Sequence, residues 1–342
     1  MGEDIGIVTA LQANYYRVRL PGLSEVPLLC TRRALLKKIG QNIMVGDRVR
    51  VEEIDLTSLQ GVITEVLPRC SEFPRPPVAN AEQILLIFSL AEPPLEVWQL
   101  SRFLVKAEST QLKIALCLNK RDLVSETTVH QWRSRLENWG YDPIFVSVLQ
   151  QQGLKHLQAV LSNQITLMAG PSGVGKSSLI NCLIPEGNQL TNSVSGKLQK
   201  GRHTTRHVEL FELPTGGLLA DTPGFNQPDL EANVGELINW FPEGKARRLN
   251  QDCHFNDCLH RDEPHCLIRG DWERYEHYLK FLEEAIARQT QQQKRRGAEN
   301  SLKLKTKAAG ESHYEPKLAS KTYRRPSRRF QQQNLPQSEE DL

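Results

Sequence analysis

A multidomain fold, β-rich at the N-terminus, α/β in the middle and helical around a metal cluster near the C-terminal end, is predicted by three features of this 342-residue sequence. Five short strand-like runs crowd into residues 1–67, near-continuous apolar runs separated by helical stretches fill residues 84–170, and three cysteines stand with histidines within residues 253–266. With 39% hydrophobic and 24% charged residues, the composition suits globular domains with separate cores and excludes collagen, coiled-coil and wholly disordered chains. No apolar run approaches the roughly 20 residues of a membrane helix. The start MGEDIGIVTA lacks the flanks of a signal peptide, so a soluble, cytoplasmic protein with no membrane partner is expected.

The first element is a barrel. The runs IGIVTAL, NYYRVRL, VPLLC, DRVRVEEI and GVITEVL are punctuated by Asn14, Pro21-Gly22, Gly46-Asp47 and Gly61, the pattern of a small closed barrel of the oligonucleotide-binding (OB) type. The segment from Pro68 to Asn80 carries four prolines and reads as a linker. Next come ILLIFS (84–89), LKIALCLN (112–119), PIFVSV (143–148) and ITLMAG (165–170), too apolar for strands with one wet face and suited to a parallel sheet covered on both sides. HVELFEL (207–213) and GLLAD (217–221) add a hairpin-like pair.

Gly170, Pro171, Ser172, Gly173, Val174, Gly175, Lys176 and Ser177 spell a P-loop, placed as that motif requires between an apolar strand and a helix-like KSSLINCLI. Its glycines let backbone N–H groups wrap a phosphate, Ser178 continues the helix N-terminus, Lys176 reaches the β- and γ-phosphates and Ser177 holds Mg²⁺. Asn119, Lys120 and Asp122 form NKRD at the end of another strand. A carboxylate at Asp122 accepts from the N1–H and exocyclic amine of guanine together, whereas adenine offers an acceptor at N1; GTP is expected over ATP. DTPG follows a strand, with Asp221 suited to Mg²⁺ through water and the Gly224 amide to the γ-phosphate. A DxxG match arises about once by chance in a chain this long, so its weight is positional. Between these motifs, Ser193 to Leu210 is a polar segment in which Thr205 is the expected second Mg²⁺ ligand and His203 the expected catalytic group.

The motif order is inverted. Ordinary GTPases carry the P-loop first and NKxD later; here NKRD precedes GPSGVGKS, which precedes DTPG, so the domain reads as a circularly permuted P-loop GTPase. Ser147, in VSV, falls where the loop backing the guanine belongs, although Val148 replaces the usual alanine.

Cys253, Cys258, His260 and Cys266, spaced C-x4-C-x-H-x5-C, match a closed tetrahedral zinc site without room for a catalytic water. His254 and His265 compete for the histidine position, and unliganded thiols in a loop are the alternative. Cys30, Cys70, Cys117 and Cys182 read as core filling. The charge is uneven: residues 291–342 hold 12 Lys and Arg against 6 Asp and Glu, and Tyr323, Arg324, Arg325, Arg328, Arg329 and Phe330 suit either RNA binding or plain solvation.

Motif order, barrel and cysteine spacing, together with RPPVAN, GRHTT and DTPGF in the same succession, resemble the ribosome-small-subunit-dependent GTPase A family (RsgA, YjeQ-like) over roughly residues 1–290. The resemblance implies a GTPase stimulated by the small ribosomal subunit, which it binds with its rRNA late in maturation and leaves on hydrolysis. A nucleotide-switched RNA-binding protein in which hydrolysis is secondary is the alternative. The expected organisation is an OB domain (1–68), a linker (69–80), a permuted GTPase domain (81–240), a zinc-binding helical domain (241–290) with one structural Zn²⁺, and a basic disordered tail (291–342), acting as a monomer with GTP, GDP and Mg²⁺.

Overall fold

A computed structural model describes residues 4–12, 14–22, 26–74, 77–184, 208–221, 230, 232–248, 253–300, 302–306 and 312–316. Strands β1 (Ile5–Gln12), β2 (Tyr15–Arg19), β3 (Leu28–Arg32), β4 (Arg48–Asp55) and β5 (Gln60–Val66) close into a barrel in the order β1-β2-β3-β5-β4. Closure runs through β1 on β4, and β3–β5 is the one parallel pair of the barrel. Period-two alternation fills its interior: Val8, Val18, Leu28, Cys30, Val49, Val51 and Ile63 are buried. Helix α1 (Ala34–Lys38) adds Leu36 to that core.

The proline-rich stretch is more than a spacer. It forms a hairpin of β6 (Glu72–Pro74) and β7 (Pro77–Ala79), and Val78, Ala79 and Asn80 are buried. A buried carboxylate anchors it: Asp47 accepts from Arg69 Nε at 2.7 Å and Nη2 at 2.9 Å. Burying Asp47 requires a cationic partner, and the proline-rich stretch supplies it.

The central sheet has the order β10-β9-β8-β11-β13-β12. Its members are β8 (Gln83–Ser89), β9 (Lys113–Asn119), β10 (Pro143–Phe145), β11 (Ile165–Ala169), β12 (Leu210–Glu212) and β13 (Leu218–Asp221), with β12 alone antiparallel to its neighbour. Helices α2 (Val97–Glu108), α3 (Glu126–Asn138), α4 (Leu154–Leu161) and α5 (Lys176–Leu183) cover it. The apolar run of β8 divides by parity. Ile84, Leu86 and Phe88 pack with Leu100, Phe103 and Leu104 of α2, while Leu85 and Ile87 join Leu157, Leu161, Leu179 and Leu183 of α4 and α5. That is why no polar residue interrupts the strand.

Beyond a 3₁₀ turn at Leu237–Trp240 come α6 (Pro242–Arg248), the cysteine-rich segment and α7 (Tyr275–Asn300). The chain divides into two compact units, Met1–Leu282 and Glu283–Leu342. In the second, the sequence expected to be disordered from residue 291 instead continues as helix to Asn300 and pairs β14 (Leu302–Thr306) with β15 (Ser312–Pro316). Gln, Lys, Arg, Ala and Glu at 291–299 are strong helix formers, and Leu302-Lys303-Leu304-Lys305 alternates as a strand does; Tyr323 through Phe330 lie outside the described residues. Of the cysteines expected in the core, Cys30 and Cys117 are buried and Cys182 partly so, but Cys70 is exposed. No helix among the described residues is long and apolar enough to cross a membrane.

Candidate nucleotide site and metal centre

The registers Ser89↔Asn119 and Leu86↔Ala169 bring the carboxyl ends of β9, β8 and β11 side by side, where open α/β sheets present ligand loops. The P-loop therefore stands beside NKRD despite the inverted order. Gly170 (φ 147°) and Gly175 (φ 94°) hold backbone conformations that disfavour side chains. A Cβ on Gly170 would lie 2.1 Å from the Ile87 carbonyl oxygen, and one on Gly175 2.5 Å from Asn119 Nδ2. Val174 is buried and pins the loop, while Ser172, Ser177 and Ser178 are exposed. No side chain caps the start of α5, leaving its first N–H groups for an anion. Lys176 Nζ donates to the carbonyls of Gly170 (2.8 Å) and Pro171 (2.5 Å), lying along the loop it is expected to serve.

Two cross-links tie base motif to phosphate motif. Asn119 Nδ2 donates to Val174 O at 2.9 Å, and Lys120 Nζ donates to Gly173 O at 3.1 Å and to Glu92 O. Buried Ser147 accepts from Gln150 N at 3.0 Å and gives its single proton to Asp122 Oδ1 at 2.5 Å, fixing the carboxylate. Asn119 Oδ1 is buried without a partner among the described residues, an acceptor left at the junction of both motifs. Sequence reasoning passed over Arg121, which donates to Gln152 at 2.8 Å and pairs with Glu126 at 2.5 Å, bracing the loop from behind; a surface arginine between two motif residues carries no sequence signal.

Asp221 closes β13 opposite Met168. The Asp221 side chain, Gly224, His203 and Thr205 lie outside the described residues.

In the cysteine segment the donors of Cys253, Cys258, His260 and Cys266 all lie within 4.8 Å of one another. His260 Nδ1 is 3.6, 3.4 and 3.4 Å from the Sγ atoms of Cys253, Cys258 and Cys266, and Cys253 Sγ is 4.0 Å from Cys266 Sγ. A tetrahedral zinc with ordinary bond lengths has edges of about 3.6 Å (N to S) and about 3.8 Å (S to S), so the set can hold a metal ion of that kind. The competing rings of His254 and His265 stand edge to face at 6.5 Å and are not among the four clustered donors. Burial lowers the His260 pKa and keeps the ring neutral, as a ligand must be. Burial, aggravated by neighbouring thiols, pushes the Cys258 thiol up to about 12, a cost that a cation removes. Tyr275 and Tyr278 hydroxyls hold the His260 and Leu259 carbonyls at 2.8 and 2.7 Å, and Arg269 N approaches Cys266 Sγ at 3.4 Å.

A latch unforeseen in the sequence follows the cluster. Arg274, fully buried, pairs with Glu243 through Nε (2.7 Å) and Nη2, and its guanidinium lies 4.7 Å from the Trp139 ring, 5.0 Å from Phe241 and 5.6 Å from Tyr141. Next to it Glu273 accepts from Arg135 (2.5 Å) and Trp139 Nε1 (2.7 Å). Both contacts grip the C-terminal end of α3, the helix whose N-terminus follows NKRD.

A family model of RsgA GTPases matches residues 66–231. The small ribosomal subunit biogenesis GTPase RsgA of Microcystis aeruginosa is 62% identical over 330 residues, covering 96% of this chain and 92% of that one. The protein of that name from Trichormus variabilis is 58% identical over 356 residues, covering 98% and 96%. Among solved structures, YjeQ from Thermotoga maritima superposes with a TM-score of 0.69 at 30% identity over 83% of this chain and 99% of its own. YloQ, described as a circularly permuted GTPase, gives 0.69 at 29% over 84% and 96%. Identity this high along nearly the whole length, on a barrel and sheet that juxtapose the permuted motifs, places the chain in the RsgA GTPase family of GTP-hydrolysing enzymes.

Proposed function

We propose that this GTPase binds the small ribosomal subunit and its rRNA, and hydrolyses GTP to time late maturation of that subunit and its own release. The observation that supports the reading is the pair of cross-links from Asn119 and Lys120 to the P-loop backbone, which brings together two motifs separated in the chain; the relatives' shared name supplies the subunit. In this reading Asp122, oriented by Ser147, selects guanine, and Gly170 through Ser178 with Lys176 receive the phosphates. Ser177 and Thr205 hold Mg²⁺, with Asp221 acting through water and Gly224 facing the γ-phosphate; Mg²⁺ supplies charge neutralisation there. The work is done in the cytoplasm, where the subunit is assembled.

Phe225 occupies the position after DTPG at which many GTPases keep a glutamine, and it can neither donate nor accept a hydrogen bond. Intrinsic hydrolysis is therefore slow, and His203, near Thr205, is the polar group proposed to orient water once the subunit is docked. His203→Ala is expected to retain GTP binding and subunit docking while losing most subunit-stimulated turnover, about 10²-fold or more; full stimulation in that variant rejects the histidine. Sedimentation with small subunits in GDP and in a non-hydrolysable GTP analogue tests the release step, and equal affinity in both states rejects it.

The metal of the cysteine cluster is read as one structural zinc per chain. Elemental analysis should give one equivalent, lost on acidification because protons compete for the thiolates. Cys258→Ser should abolish retention and loosen the segment after Trp240 while GDP still binds. Metal-free protein from a careful preparation overturns this assignment.

A further inference from the structure

The N-terminal barrel does more than stand beside the GTPase sheet. Strand β12 is an edge strand of the sheet, and the barrel meets the chain at its entrance. Ala10 of β1 makes an antiparallel bridge to Glu209, at the entrance of β12. Ile7 and Leu11, on β1, pack against the core cluster that contains Val208 and Leu210. On β2, which pairs with β1 in the register Ile7↔Arg19 and Ala10↔Arg17, two arginines reach the same strand. Arg17 Nη1 is 2.9 Å from Glu209 Oε1, and Arg19 pairs with Glu212. The four side chains are 26–35% exposed, sheltered enough for the pairs to outweigh an ordinary surface contact.

Position in the chain gives this contact its meaning. Glu209 stands four residues after Thr205, and Asp221 nine residues after Glu212. The strand clamped by the barrel pairs along its length with β13, whose last residue is Asp221. A strand of three residues has little register of its own, and a slip of one residue turns its side chains to the opposite face. The main nucleotide contacts, Asn119, Asp122 and the P-loop, come from β9 and β11 and do not depend on β12.

We infer that Arg17 and Arg19 are positioning residues of the GTPase reaction: through Glu209 and Glu212 the barrel fixes β12 and, through the pairing of β12 with β13, the strand that ends at Asp221. The inference rests on the reading of Thr205 and Asp221 given above. It makes the barrel a working part of the hydrolytic centre in addition to any RNA it binds.

Steady-state GTP hydrolysis by the full-length protein tests this, with Arg17→Glu, Arg19→Glu, Glu209→Arg and the exchanged pair Arg17→Glu/Glu209→Arg. Each single reversal should lower kcat by about tenfold, the scale of misplacing a reacting group by a fraction of an ångström, with KM for GTP and the affinity for a fluorescent GDP within about twofold. The exchanged pair should recover most of the lost kcat. Unchanged kcat in both arginine variants overturns the inference. So does a kcat loss accompanied by a parallel KM rise and a fall in melting temperature of more than about 5 °C that the exchange does not repair, since that is the behaviour of a merely structural contact. Thr205→Ala, assayed in parallel over a Mg²⁺ titration, keeps the two readings apart: an unaltered Mg²⁺ dependence removes the magnesium assignment, while the charge exchange still decides the role of the barrel.

Discussion

Asp122→Asn is expected to change this enzyme from a guanine to a xanthine nucleotide binder. The carboxylate is held by Ser147, whose single proton is committed to Asp122 Oδ1 because its oxygen already accepts from Gln150 N. So oriented, it can accept from the N1–H and the exocyclic amine of guanine. An asparagine keeps one acceptor for N1–H but turns a donor toward the amine, which leaves two donors face to face; xanthine, with an oxygen in place of the amine, restores the pair. Hydrogen bonds to a charged partner contribute about 1.5–3 kcal/mol each, so losing the one to the amine should lower GDP affinity by about 10–10²-fold while XDP gains. Competition between the two nucleotides for the variant reads the effect directly, and retained guanine preference would show that the base is recognised elsewhere. Ser147→Ala should cost about tenfold in GDP affinity without favouring XDP, because it frees the carboxylate without changing its chemistry.

Arg274→Ala should be the most damaging substitution for stability outside the central core. Deleting the guanidinium leaves Glu243 largely buried with an uncompensated charge and empties the space between Trp139, Phe241 and Tyr141. Breaking a buried pair on one side costs about 3–5 kcal/mol. In a chain of this size that lowers the melting temperature by about 10 °C. Arg274→Met combined with Glu243→Leu should recover much of the loss, since an apolar pair of similar volume avoids the stranded charge. Thermal unfolding followed by tryptophan fluorescence, with Trp139 in the cage itself, measures both. A shift under 2 °C for Arg274→Ala would mean that the latch carries no weight.

The sequence made the barrel and the sheet legible because both rest on periodicity, and it marked the candidate nucleotide site because NKRD and the P-loop, which the fold brings together, are local strings. The latch was hidden for the opposite reason: Arg274, Glu243, Trp139 and Tyr141 are ordinary residues that acquire meaning only when α3 and α6 meet. The hairpin of residues 72–79 was hidden because proline density reads as a spacer, while the reason for its docking, the buried Asp47, lies more than 20 residues upstream. The histidine competition in the cysteine cluster also exceeded what spacing decides. C-x4-C-x-H-x5-C admits three histidines, and only folding around Tyr275 and Tyr278 selects His260.

Closure of the barrel within its first 66 residues also bears on synthesis. All five of its strands leave the ribosome before any strand of the central sheet, and a closed barrel offers no open edge to neighbouring nascent chains. The sheet is less protected as it emerges. Its interior strand β8 is made early and can pair with β9, but its other flank waits for β11, some 80 residues later, and the bond between Arg17 and Glu209 spans 192 residues. An arrested chain ending near residue 160 should therefore contain a finished barrel and a half-built sheet with a bare apolar edge, the species that needs a chaperone.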